Sequence, residues 1–190
     1  MPRRRFPEPP APGQPPEPPS DPESVARALC LRLLSSQPRT RAELAEALER
    51  KNVPVEAAAA VLDRFGEVGL IDDAAFASAW VESRHHGRGL ARRALAQELR
   101  NRGIDAEVAQ VALGQVGAES EESTARALIA RKLASTRGLP VPNRMRRLVG
   151  LLARKGYPPG LAMRVVREAI AAEGTATEGE LEVIEASAEE

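Results

Sequence analysis

Apolar residues in this chain recur at helical spacing and are closed off by a turn-former, and the pattern occurs three times. Leu44, Leu48, Asn52, Val53 and Pro54 return as Leu95, Leu99, Gly103, Ile104 and Asp105, then as Leu148, Leu152, Gly156, Tyr157 and Pro158. The register carries into the next helix, where Ala57, Val61 and Leu62 match Val108, Ala112 and Leu113, then Leu161, Val165 and Val166. The intervals are 51 and 53 residues. A fixed period of this size means stacked supersecondary units in place of one globule. The pattern predicts an all-α protein of three tandem three-helix (helix-turn-helix-like) repeats forming an elongated, curved rod, whose long side serves as a binding surface.

The first repeat spans 23–71. Its helices are Glu23 to Ser35, one capped by Thr40 with Glu43 at the capping-box position, and one starting at Pro54 and reaching Val68. The second repeat, 72–117, opens at Asp72 or Asp73 with Phe76, Ala79 and Trp80 facing inward. It continues from Leu90 to Arg102 and from the cap Asp105. The third, 118–173, runs from Glu119 to Ser135, Asn143 to Lys155 and Pro159 to Glu173. Each second-to-third helix turn centres on Asn52, Gly103 or Gly156, residue types that tolerate the left-handed backbone ending a helix. Residues 1–22 are a proline-rich segment expected to be a disordered arm, and 174–190 an acidic, solvated and disordered tail.

Composition narrows the function classes. Hydrophobic residues make up 43% and aromatics 3%, so close packing through small side chains is expected, with few large residues to seal a pocket. One cysteine, Cys30, rules out an internal disulfide framework and reads as a core residue. No apolar run is long enough to span a membrane, and the N-terminus lacks the apolar core of a secretory signal, which predicts a cytoplasmic protein.

Candidate catalytic chemistry is sparse. His85 and His86 are adjacent and diverge by about 100° on a helix, so they read as exposed helix-end residues in place of a metal pair. Gly87-Arg88-Gly89 is too short for a phosphate loop. Asp72–Asp73 reads as a helix cap before an acid–base pair. No nucleophile–base constellation is visible, so neither an enzyme nor a cofactor or metal is expected.

Charge is more informative. The formal net charge is +0, yet residues 21–83 carry 7 basic and 11 acidic side chains, whereas 84–167 carry 17 basic and 6 acidic. A single-sign field of that kind attracts nucleic acid or an acidic protein surface. The candidate partner-binding surface comprises Arg84, Arg88, Arg92, Arg93, Arg131, Lys132, Arg144, Arg146, Arg147, Arg154 and Lys155.

The string Gly69-Leu70-Ile71-Asp72-Asp73-Ala74-Ala75-Phe76-Ala77, followed by Arg84, Gly87 and the Leu95…Gly103-Ile104 repeat, resembles the RecX family of recombinase regulators. Ala125, Leu128, Arg131-Lys132 and Arg147…Arg154-Lys155-Gly156-Tyr157 extend the resemblance through the third repeat, so it covers about 24–171. The proline-rich and acidic ends lie outside it, and Asn52 stands where the other repeats have glycine. The resemblance implies a non-enzymatic modulator that binds the RecA filament and suppresses its ATPase, strand-exchange and co-protease activities, with weak non-specific DNA contact as a secondary feature; the chain itself is expected to be a monomer or weakly associating.

The rival reading is a DNA-binding protein using its basic helical surface, or a winged-helix first repeat in which Gly69-Leu70-Ile71 leads into a wing. Asp72 onward predicts a helix where a wing needs a hairpin. Val55 to Ala60, the candidate recognition helix, has no Arg, Lys, Asn or Gln to read bases.

Overall fold

The structure, a computed structural model, describes the backbone of residues 21–188 and the side chains of residues 21–174. Nine α-helices and one 3-10 turn are present among the described residues: α1 (Pro22–Leu34), α2 (Arg41–Glu49), α3 (Val55–Glu67), α4 (Asp73–Arg88), α5 (Arg92–Asn101), α6 (Ala106–Leu113), α7 (Ala118–Leu133), a turn at Ala134–Thr136, α8 (Val141–Arg154) and α9 (Pro159–Ala188). No strand occurs among them, so helix α4 takes the place of a wing after Ile71.

Side-chain caps set four of the helix starts, those of α1, α2, α4 and α6. Asp21 accepts from the Glu23 and Ser24 N–H groups, with Pro22 at the first helical position. Thr40 and Glu43 form the reciprocal capping box. Asp72 accepts from the Ala75 N–H at 2.8 Å, and Asp105 from the Glu107 N–H at 2.8 Å. Helix α4 ends in a left-handed Gly89 at φ 62°. The acidic end expected as a disordered tail from 174 is instead helical backbone as far as Ala188. That stretch has no proline and is rich in Glu and Ala, strong helix formers that let α9 continue. Residues 1–20 of the proline-rich arm lie outside the described residues, whereas Asp21 and Pro22 belong to the start of α1.

Each three-helix unit has its own core. Cys30, Leu44, Leu48, Leu62 and Phe65 fill the first; Val81, Leu95, Leu99 and Leu113 the second; Ile129, Leu148, Leu152, Val165 and Val166 the third. The six repeat leucines are buried throughout, and burying each contributes about 1.5–3 kcal/mol. Phe76 and Trp80 are only partly buried against the second core, because the Trp80 indole N–H reaches outward to Glu98 at 2.8 Å. His85, expected on the surface, is buried. Its Nδ1 lies 2.9 Å from the Leu90 carbonyl, which can only accept, so this nitrogen carries the proton. Its Nε2 lies within hydrogen-bond distance of the Ser120 and Thr124 hydroxyls, at 3.0 and 3.1 Å.

Two joints connect the units in a row, and they are built alike. At the first, the Thr40 hydroxyl donates to the Arg102 carbonyl at 2.7 Å and Asp73 accepts from the Arg41 N–H at 2.9 Å. At the second, the Ala91 N–H donates to the Lys155 carbonyl at 2.9 Å and Glu121 accepts from the Arg92 N–H at 2.7 Å. In both, the positive-φ glycine closing one unit's second helix presses onto the first turn of the preceding unit's second helix. A Cβ on Gly103 would meet the Ala42 Cβ at 2.3 Å, and one on Gly156 would meet the Ala94 backbone nitrogen at 2.6 Å. Asn52 holds the same left-handed conformation, at φ 56°, in the unit that has no predecessor.

Candidate functional site at the second joint

Helices α4, α7 and α8 converge where the second and third units meet. Their ends enclose a hollow of about 400 Å³ lined by Arg88, Leu128, Arg131, Lys132, Leu151 and Lys155. On the other side of the last turn of α8, a second hollow of about 460 Å³ collects Arg93 and Arg100 from α5 with Arg154. Neither hollow has an acidic side chain in its lining. Adjacent residues of one turn serve opposite sides, Arg154 towards α5 and Lys155 towards α4 and α7.

Lys155 is the fixed point of the arrangement. Its ammonium donates to the Arg88 carbonyl at the end of α4, where the helix dipole favours a cation. Burial, then the neighbouring charges of Arg88 and Arg131, hold its pKa below the ordinary lysine value. Tyr157 braces the same place: its buried hydroxyl donates to the Gly89 carbonyl at 3.2 Å, and burial, then Glu121, push its pKa up to about 12. Gly89 itself sits against Leu128, whose Cδ1 would lie 2.9 Å from an added Cβ.

The predicted basic residues divide into four groups. Arg88, Arg131, Lys132 and Lys155 come together in the first hollow, and Arg93 and Arg154 in the second. Arg146 and Arg147 are exposed on α8 but line neither hollow. The remaining three serve structure. Arg84 lies over the Trp80 ring, 4.0 Å from its centroid, and Arg92 reaches the Val116 carbonyl at 3.4 Å. Arg144 is buried, bonding Thr136 at 3.2 Å and pairing with Glu173, so it does not belong to an exposed surface. A helix-start arginine reads as surface until the carboxylate facing it, from α9, is known.

Sequence reasoning did not place Arg100, Leu128 or Leu151 in a site. The signal for Leu151 is its position four residues from both Arg147 and Lys155, which sets it on one stripe of α8 with them. Among the described residues no cluster of His, Cys, Asp and Glu is fit to hold a metal, and no helix is long and apolar enough to cross a membrane.

Among the described residues, three helix-turn-helix units stand in a row and carry an open, cation-lined hollow at their second joint. Residues 26–65, 72–113 and 119–166 match the first, second and third three-helix domains of RecX in turn. The chain is 63% identical over 158 residues to the regulatory protein RecX of Streptomyces coelicolor, covering 83% of this chain and 84% of that one. It is 60% identical over 149 residues to that of Thermobifida fusca, covering 78% and 80%. A RecX crystal structure from Lactobacillus salivarius superposes with a TM-score of 0.71 at 19% identity, over 78% of this chain and 97% of that one. The chain therefore belongs to the RecX family of regulatory proteins.

Proposed function

We propose that this chain binds the RecA nucleoprotein filament and restrains its ATPase, strand-exchange and co-protease activities without catalysing a reaction itself. What carries the reading is membership of the RecX family across all three helical units. The physical support is a row of jointed modules with a cationic hollow at one joint. Such a body can engage neighbouring subunits of a polymer at once, each further contact being effectively intramolecular.

The test is RecA-dependent, single-stranded-DNA-stimulated ATP turnover with and without the purified chain. Turnover should fall as the chain is added at stoichiometries well below one per RecA subunit. Undiminished turnover at excess chain would remove the proposal. Weak DNA contact through the same cations is distinguished by salt, because phosphate neutralisation makes affinity fall steeply as salt rises.

A further inference from the structure

The hollow at the second joint is not uniformly polar. Leu128 and the half-buried Leu151 form its floor, and Arg88, Arg131, Lys132 and Lys155 ring it. Arg131 and Lys132 are exposed and have no ion pair among the described residues, while Arg88 shares Glu98 at 3.5 Å. The neighbouring hollow around Arg93, Arg100 and Arg154 is cationic too, whereas two others mix signs: the one between α7 and α9 has Glu168 and Glu173 beside Arg126 and Arg137, and the one on the first unit has Glu46 and Glu49 beside Arg41. A cationic ring in which Arg131 and Lys132 have no counter-charge among the described residues, set around an apolar floor, suits a ligand that is anionic at its flanks and apolar at its middle.

Nucleic acid fits that description poorly. Proteins that track single strands add aromatic faces on which bases stack. Here Tyr157 is buried, His85 is buried, and Phe76 and Trp80 are engaged with each other and with Arg84 and Arg102 near the first joint. No aromatic side chain lines the hollow.

We infer that the hollow formed by α4, α7 and α8 takes a carboxylate-rich protein segment that seats one apolar side chain on Leu128 and Leu151. This rests on the reading of the second joint as the partner-binding surface, and it specifies what the partner must present there: acidic residues on both sides of a Leu- or Ile-like side chain.

The probe is a fluorescein-labelled peptide with four Glu on each side of a single Leu, set against the same peptide with Gly in the middle and against oligothymidylate of equal charge. Fluorescence anisotropy with the full chain should give roughly fivefold tighter binding of the Leu peptide than the Gly peptide, the yield of about 1 kcal/mol of apolar burial. Exchanging the exposed pair, Arg131→Gln with Lys132→Gln, should weaken the Leu peptide about tenfold while the circular-dichroism melt stays in place. Equal binding of the two peptides, tighter binding of oligothymidylate, no binding of either peptide, or no effect of the double exchange would each overturn the assignment. The RecA ATPase assay reports separately. If the wild-type chain still inhibits ATP turnover when the peptides fail, the hollow's specificity is wrong and the RecA reading stands; if peptides bind as expected but turnover is unaffected, the reverse holds.

Discussion

Arg102 reaches across from the second unit's α5 to sit over Trp80, its guanidinium carbon 3.7 Å from the ring centroid, while also pairing with Glu43 of the first unit at 2.5 Å. The Arg102 carbonyl accepts the Thr40 hydroxyl, so one residue ties an indole, a capping carboxylate and a buried threonine into the first joint. Trp80 is the only tryptophan of the chain and therefore reports on this joint directly.

Replacing Arg102 with Ala removes a partly desolvated cation–π contact and an ion pair. Stability should fall by about 1–2 kcal/mol, and Trp80 emission should shift to the red as water reaches the ring. A urea titration read by fluorescence measures both. An unchanged emission maximum would mean that Arg102 does not shield the indole.

Gly103→Ala combines a side chain at φ 71° with a Cβ 2.3 Å from the Ala42 Cβ. The strain should cost about 1–3 kcal/mol. Adding Ala42→Gly should recover the steric part and leave the conformational part. Gly156→Ala should resist the equivalent rescue by Ala94→Gly, because there the nearest atom is backbone nitrogen. Thermal denaturation of the two single and two double variants checks the contrast.

Glu173 ties α9 to the region around Thr136. Hydrogen bonds from Arg137, then Arg144, hold its carboxyl below the ordinary glutamate value of 4.5. A carboxyl whose pKa is lower when folded contributes stability above its unfolded value and loses it as pH falls through the folded one. Glu173→Gln should therefore lower the melting temperature at pH 7, and the gap from wild type should close as pH falls below about 4. A gap that persists at low pH would show that the charge is not what matters.

Removing the exposed cations of the second joint should weaken inhibition of RecA ATP turnover. The combination Arg93→Gln, Arg131→Gln, Lys132→Gln and Arg154→Gln leaves Arg84, Arg92 and Arg144 in their structural roles. It should raise the half-inhibitory concentration at least about tenfold with helicity intact, on the scale of several partly desolvated charged contacts. An equal half-inhibitory concentration would move the binding surface elsewhere on the chain.

Much of the fold is written locally and was legible. The leucine register, the Thr40–Glu43 box, the Asp72 and Asp105 caps and the turns at Asn52, Gly103 and Gly156 all depend on residues within a few positions of one another. Ala77, Val81 and His85 share one helical stripe, and that spacing could have marked His85 as internal. The joints were not legible, since they pair residues some 60 positions apart: Thr40 with Arg102, or Tyr157 with Gly89. The same distance hid the division of the basic residues. Arg144 and Arg147 look alike in sequence, and only the course of α9 past one of them makes it a core ion pair.

The left-handed Asn52 closes one end of the row. Were another unit to pack there as the first packs on the second, the asparagine side chain would occupy the space that Gly103 and Gly156 leave clear. A second copy adding head to tail at that end would meet a side chain where each internal joint has only a glycine hydrogen.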